Sequence, residues 1–434
     1  MNDADKKLGY WEVVAVGVGG MVGGGIFAVL GLAVQLAHGG TPIAFAVAGV
    51  VALLTTYSYT KLSVAFPSQG GTVTFLDRAF GPGILAGSFN VLLWLSYIVM
   101  LSLYSFAFGS YAATFLSPAW QSLGKHLFIT IVILGITGLN LASAKIIGRA
   151  EGWIVGLKIA ILLVFIGMGI RGVDQQRLTS STWAAPMQLL AGGFIIFLAY
   201  EGFELIANAA QDTKEPRRTL PRAYYSAVIF VIALYVMVSI VTVGSLPIAQ
   251  IVNARDYALA AAAKPFMGQA GFTLIAIAAL LSTASAINAT LYGTARLSYV
   301  IAVDEELPHI LEKMIWNQPI LGLLITAALT LVVANLFDLS SISTMGSSGF
   351  LLVFAMVNFA NVRMAQTTNS RKWVSIAGAL ACILALAALL WQTASDTPLQ
   401  ILTLVFMVGL SVGIEVLFWT LSRRKAQQHG ARRP

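Results

Sequence analysis

Long apolar segments follow one another along this chain, with only short polar connections between them. Most are long enough to cross a hydrocarbon layer, which takes roughly 20 apolar residues in a helix. There are twelve: 9–36, 42–66, 83–117, 127–141, 149–170, 186–210, 221–244, 266–303, 320–336, 342–362, 373–391 and 398–421. The prediction is an all-α polytopic membrane protein with 12 transmembrane helices.

The composition excludes several other classes of protein. Only 10% of the 434 residues are charged, whereas a soluble protein carries about a quarter. The single cysteine, Cys382, excludes a disulfide framework and a cysteine metal site. The four histidines lie far apart in connections, without an HExxH motif or a nucleophile–base pair. We therefore expect no enzyme, no catalytic residue, no cofactor and no metal.

The basic residues indicate how the chain sits in the membrane. If the N-terminus is cytoplasmic, the inner connections hold 20 of the 26 lysines and arginines and the outer ones five, with one intramembrane lysine. This asymmetry follows the positive-inside rule, and it accounts for the net charge of +8 without a nucleic acid partner. We expect both termini to be cytoplasmic in the inner or plasma membrane. Residues 1–421 would form one transmembrane domain, followed by a basic tail at 422–434.

The first segment contains a dense glycine cluster. Glycine weakens a helix interior by about 1 kcal/mol relative to alanine, so the cluster predicts a break at membrane depth. The second half-helix would direct its positive dipole end at a carboxylate, and the freed carbonyl groups could accept bonds from an ammonium group. The alternative is a glycine face for helix packing. The cluster consists of Gly19, Gly20, Gly23, Gly24 and Gly25.

The sixth segment is the expected counterpart of the first in an inverted repeat. In its stretch FLAYEGFELIANAAQD, the one glycine, Gly202, is a weaker signal for a break. It also carries two carboxylates, Glu201 and Glu204, well inside an apolar stretch. Intramembrane ionisable residues are costly and usually functional. The alternatives are that they snorkel to water or make protonated structural hydrogen bonds.

These features resemble the amino acid–polyamine–organocation (APC) superfamily, and most closely its archaeal and bacterial proton-coupled, broad-specificity amino acid transporters. The resemblance implies a LeuT-like five-plus-five inverted repeat, about 9–170 and 186–362, with broken helices 1 and 6 and extra helices in 373–421. We interpret the EPRRTLPRA and DEELP motifs as structural and topological. The motifs that carry the resemblance are GGMVGGGIF (19–27), GRAEGWIVGLK (148–158), AYEGFELIANAAQDTKEPRRTLPRA (199–223), AAKPFMGQAGF (262–272), SAINATLYG (285–293) and DEELP (304–308).

The resemblance also implies a substrate site. The amides of Gly24 and Gly25 would hold the substrate carboxylate, and backbone carbonyls on both broken helices would take its amino group. Glu204 would respond to pH or shape the pocket. Two departures from the family pattern are Gly24 in place of a frequent serine and Leu198 in place of an aromatic gate residue. The expected substrate-binding residues are Met21, Gly23, Gly24, Gly25, Leu198, Glu201 and Gly202.

Lys158 lies in the apolar run WIVGLKIAILLVF. It is two helical turns, about 10 Å, from Glu151, so snorkelling to the inner surface is the alternative to a functional role. By the resemblance, its ammonium replaces the sodium ion of sodium-coupled relatives, bridging the Gly19 region to hydroxyls such as Ser282, Thr283 or Ser285. Because burial disfavours the charged form of a lysine, Lys158 could release a proton in each cycle.

The predicted function is import of amino acids by sodium-independent proton symport with alternating access. The alternatives are an exchanger without net proton movement and an amino acid sensor that does not transport. Apolar residues around 94–107 and 349–356 favour neutral substrates, whereas Glu201 and Glu204 leave cationic ones open. The expected partners are the amino acid, protons and the lipid bilayer, with no obligatory protein partner.

Overall fold

The computed structural model describes residues 7–142, 148–304, 306–315 and 318–430. Within these ranges the chain is mainly helical, with three isolated β-bridges and no strand. The first seven helices are α1 (Tyr10–Met21), α2 (Gly25–Ala37), α3 (Thr41–Ala65), α4 (Thr72–Phe80), α5 (Ile84–Ala113), α6 (Gln121–Ala142) and α7 (Gly148–Gly169). The others are α8 (Pro186–Ile195), α9 (Leu205–Asn208), α10 (Pro216–Ser245), α11 (Ile248–Asn253), α12 (Ala258–Val303), α13 (Ile320–Leu336), α14 (Leu339–Arg363), α15 (Lys372–Asp396) and α16 (Leu399–Gly430).

The helices confirm the all-α polytopic class. In the described ranges, nine helices are long and apolar enough to cross a membrane, and two bent pairs qualify if each pair is one span. The bends are 46° between α1 and α2 and 44° between α8 and Phe197–Asn208. They fall in the first and sixth apolar segments, where breaks were predicted. The remaining segment forms α13, which has only 17 residues, so the count of 12 spans and the inverted repeat stay predictions.

Helix α5 forms the centre of the bundle. It is almost entirely buried over its apolar length and packs against α6, α12, α13, α14 and α16. The peripheral helices α6, α15 and α16 instead expose large apolar side chains, among them Leu384 and Phe406. An apolar outer surface of this kind suits contact with lipid tails. The polar side chains that matter for function are therefore those buried around α5.

Two helices differ from the apolar pattern at their ends. The α12 helix begins at Ala258, before the predicted start at 266, and is kinked at Gly268, whose φ is +64°. The α16 helix continues to Gly430, past the end of the apolar segment at 421. The arginine, lysine, alanine and glutamine residues that follow favour helix even though they are polar.

Candidate substrate site

The first break separates α1 from α2 over residues 22–24. In the described part of the chain, the amides of Gly23 and Gly24 donate to no protein acceptor. The carbonyl oxygens of Val22 and Gly23 both accept from the Ser282 hydroxyl of α12. A break at membrane depth needs such partners for its freed backbone groups. Two carbonyl groups of the break therefore have a hydrogen-bond donor, whereas its amides are available to an anion.

The glycines of this break allow close approach of neighbouring helices. A Cβ atom on Gly24 would lie 2.4 Å from the Tyr104 ring of α5. A Cβ atom on Gly25 would lie 2.9 Å from the Ala199 Cα of the sixth segment. Both distances are shorter than real Cβ contacts. The glycines thus serve packing as well as the break, so the two interpretations of the cluster are compatible.

The second break consists of a 3₁₀ turn at Phe197–Tyr200 and a non-helical stretch up to the start of α9. Gly202 adopts a φ of +114°, a conformation that disfavours residues with a side chain. A Cβ atom there would lie 2.4 Å from the carbonyl carbon of Gly20. The two broken helices therefore touch at Gly20 and Gly202, a contact that needs glycine on both sides.

Glu204 ties the second break to α5. Its Oε2 accepts a hydrogen bond from the Gly202 amide at 2.7 Å. Its Oε1 accepts from the Tyr97 hydroxyl at 2.9 Å. The side chain is 2% exposed, so it does not snorkel to water. Any change in the charge of Glu204 would act directly on the backbone of the break.

Two of the carbonyls expected to hold an amino group have partners within the protein. The Met21 carbonyl oxygen accepts from the Tyr235 hydroxyl of α10 at 2.7 Å, and that hydroxyl also lies 3.2 Å from the Ala199 carbonyl oxygen. The Leu198 carbonyl oxygen accepts from the Glu201 amide at 3.2 Å. Tyr235 therefore joins the two breaks. The sequence gives no sign of this role, because a tyrosine in an apolar run looks like any core aromatic.

A cavity of about 370 Å³ lies beside the two breaks, within the range of small-molecule sites. It extends from Glu201 and Tyr104 to the exposed Glu12, so it reaches the end of the bundle that carries the N-terminus. Of the predicted substrate residues, Glu201 lines it, while Gly24 does not line it but lies against the Tyr104 ring, which does. The lining is Glu12, Ala15, Val16, Gly19, Gly20, Tyr104, Gly152, Val155, Glu201, Leu205, Ser285, Ala286, Ala289 and Thr290.

At the opposite end of the bundle, α2 packs against the connection before α12. A Cβ atom on Gly31 of α2 would lie 2.2 Å from the Arg255 carbonyl oxygen, so helix and connection are in direct contact. Next to this contact, Lys125 and Asp256 form an ion pair at 3.6 Å. The residues that line the cavity include none of those that make this contact. The segment 349–356, expected to shape an apolar pocket, does not line it.

Lys158 is buried beside the first break. Its Nζ donates to the Gly19 carbonyl oxygen at 3.0 Å, and the residue is 2% exposed. Of the predicted hydroxyl partners, Ser282 donates to the break itself and Ser285 lines the cavity. The Thr283 hydroxyl donates to the Ala279 carbonyl oxygen within α12. The side chain of Lys158 on α7 thus contacts the last turn of α1.

Comparisons with known proteins identify the family. A family model described as amino acid permease matches residues 8–412. The uncharacterized protein MJ0609 of Methanocaldococcus jannaschii is 34% identical over 87% of each chain. The inner membrane transport protein YbaT of Escherichia coli is 32% identical over 95% of this chain and 96% of its own. The branched-chain amino acid permease BcaP of Bacillus subtilis is 25% identical over 97% and 94%. With two broken membrane helices meeting beside a cavity, the chain belongs to the amino acid permeases of the APC superfamily.

Proposed function

We propose that this permease imports neutral amino acids of several kinds by sodium-independent proton symport with alternating access. The observation that carries the proposal is the buried ammonium of Lys158 on the Gly19 carbonyl oxygen. While it is protonated, Lys158 places a cation at the first break, which makes a bound sodium ion unnecessary there. A lysine can also exchange a proton during each cycle, which couples the helix contact to pH.

The substrate backbone fits the two breaks. The amides of Gly23, Gly24 and Gly25 at the positive end of α2 would bind the carboxylate. The amino group would lie near the carbonyls of Met21, Leu198 and Glu201. For this, the Tyr235 hydroxyl must release the Met21 carbonyl oxygen, and the Tyr104 ring must make room for the carboxylate beside Gly24. We infer that substrate binding exchanges these tyrosine contacts for substrate contacts.

The conformation corresponds to one stage of alternating access. The charge asymmetry of the sequence assigns both termini to the cytoplasm, and the cavity reaches that end. The structure would then be an inward-facing state of a cell-membrane transporter, closed on the outside by α2 and Arg255. In this state the site exchanges its substrate with the cytoplasm.

The cavity lining favours small or apolar side chains. Ala15, Val16, Val155, Leu205 and Ala286 present hydrocarbon to it. The relative BcaP is named for branched-chain amino acids, which agrees with a neutral substrate. Glu201 is the exception, because a carboxylate beside the site suits a cationic side chain too. Neutral amino acids are the main proposal and cationic ones the second candidate.

Transport assays in proteoliposomes test the proposal. Uptake of neutral, cationic and anionic amino acids would be measured with an imposed pH gradient, in the presence and absence of sodium. We expect gradient-driven accumulation of neutral amino acids with no sodium requirement. Counterflow without gradient-driven accumulation would indicate an exchanger, and binding without any flux would indicate a sensor. A strict sodium requirement would contradict the proposal.

Glu204→Gln should flatten the pH profile of transport while some exchange remains. Glutamine keeps one acceptor oxygen for the Gly202 amide or the Tyr97 hydroxyl, but it has no carboxyl proton to exchange. Exchange between pH 5 and 8 would be compared for the wild type, Glu204→Gln and the exposed control Glu215→Gln. An unchanged profile in Glu204→Gln would make Glu204 a structural hydrogen-bonding residue only.

A further inference from the structure

Four polar side chains meet at the end of the bundle that carries the N-terminus, away from the substrate site. Asn90, fully buried on α5, donates from its Nδ2 to Asp77 Oδ1 of α4 at 3.0 Å. The same Nδ2 donates to Glu306 Oε2 of the segment after α12 at 2.9 Å. The fourth member is Glu415 of α16. We refer to Asp77, Asn90, Glu306 and Glu415 as the Asn90 cluster.

Glu415 brings a second buried carboxyl group to this cluster. Its carboxyl group lies against Gly87, one turn before Asn90 on the same face of α5. The residue is only 3% exposed. Among the described residues, its Oε2 has no hydrogen-bond partner, and neither does the buried Oδ1 of Asn90. A carboxyl group on a membrane helix is expensive when it is left in this way.

Among the residues whose side chains the structure describes, none forms an ion pair with these carboxyl groups. The Arg78 guanidinium of α4 lies over the Phe66 ring, and that of Arg363 on α14 lies over Phe80. His309 pairs with Glu312, and the nearby Asp304 is acidic and exposed. Without a cation, the buried carboxylates of Glu306 and Glu415 and the half-buried carboxylate of Asp77 would repel one another. Protonation of one carboxyl group removes one negative charge. It also supplies an O–H donor for an acceptor oxygen that has no hydrogen-bond partner.

Two members titrate outside the membrane spans. Burial raises the pKa of Glu306 to about 8, opposed by the Asn90 hydrogen bond and reinforced by the charges of Asp77, Glu415 and Asp304. Burial also raises the pKa of Asp77 to about 6, again against the Asn90 hydrogen bond. Both raised pKa values agree with the shortage of hydrogen-bond donors in the cluster and with the absence of an ion pair there.

We propose that the Asn90 cluster is a proton-binding site separate from Lys158, and that its proton holds the segment at Glu306 and helix α16 against α5. Its assignment to the cytoplasm rests on the proposed topology. Asn90, Tyr97 and Tyr104 follow one another at seven-residue spacing, two helical turns or about 10 Å each, on one face of α5. Through Tyr97, which bonds Glu204, and Tyr104, which lines the cavity, α5 connects the cluster to the substrate site. Loss of the proton at alkaline cytoplasmic pH loosens this end of α5.

Thermal unfolding of the purified protein tests proton binding without any transport. Folded Glu306 retains its proton between the ordinary glutamate pKa of 4.5 and about 8, so the wild type binds more protons folded than unfolded in this window. Its stability should therefore fall as the pH rises from 5 to 8. We expect Glu306→Gln to remove part of this fall, a difference on the order of 5 °C in Tm. The matched control, Glu215→Gln, changes an exposed carboxyl group outside the cluster and should behave as the wild type.

Infrared spectroscopy of the folded wild type gives a second measurement that does not need a stable variant. We expect a protonated carboxyl band that disappears between pH 6 and 9, and that is reduced in Glu415→Gln or Glu306→Gln. The same loss of Tm with pH in Glu306→Gln and the wild type would overturn the proposal. So would the absence of any carboxyl band that titrates in this range. Since neither readout involves flux, the result is independent of whether the proposed symport is correct.

Discussion

Lys158→Ala should abolish amino acid accumulation driven by a pH gradient, and sodium should not restore it. The Lys158 Nζ is the cation that contacts the Gly19 carbonyl oxygen from α7. Alanine leaves that carbonyl group without this donor and removes the group that exchanges a proton. Sodium cannot take its place unless oxygen ligands for that ion are also present. Lys158→Arg should hold the charge permanently and stall the cycle in one conformation.

The size of the effect can be stated in advance. A gradient of one pH unit corresponds to about 1.4 kcal/mol per proton, which supports roughly tenfold accumulation if one proton accompanies each substrate. We expect the wild type to approach this ratio and Lys158→Ala to show none. Lys313→Ala, which removes an exposed lysine, is the matched control and should accumulate substrate normally. Full accumulation by Lys158→Ala would contradict the proposed coupling.

Helix positions and the first break could be predicted because their causes are local in sequence. The length of an apolar segment determines where a membrane helix can lie, and adjacent glycines disfavour helix formation. The second break was less evident, since its one glycine, Gly202, is ordinary in a helix sequence. Its role depends on a positive φ and on contact with Gly20, 182 positions earlier. Neither property is visible in the residues around it.

The tyrosines of the site were not predicted for a related reason. Tyr97, Tyr104 and Tyr235 lie in apolar runs, where an aromatic residue usually means core packing. Their hydroxyl groups acquire roles only when α5 and α10 meet the broken helices. The contact between Lys158 and Gly19 was expected from the family resemblance and not from the residues alone. Contacts between residues that are far apart in the sequence can be predicted only when the topology of the fold is known.

Gly25→Val should abolish substrate binding while leaving the protein inserted in the membrane. A Cβ atom at Gly25 would lie 2.9 Å from the Ala199 Cα, and a β-branched side chain adds bulk in the same place. The start of α2 would have to move from the sixth segment, so its amides would no longer meet the carboxylate. Losing two charge-assisted hydrogen bonds costs about 3 kcal/mol or more, roughly a 100-fold loss of affinity.

A graded series separates loss of the site from loss of the fold. Gly409→Val on α16 is the control, because a side chain there meets nothing within 4 Å, and it should bind normally. Gly24→Ala meets the Tyr104 ring, which can move, so it should cost less affinity than Gly25→Ala, which meets the Ala199 backbone. Affinity would be measured by equilibrium binding to purified, monodisperse protein. If Gly25→Val binds substrate with wild-type affinity, the amides of the first break do not hold the carboxylate. The positive end of α2 would then only support packing against the sixth segment.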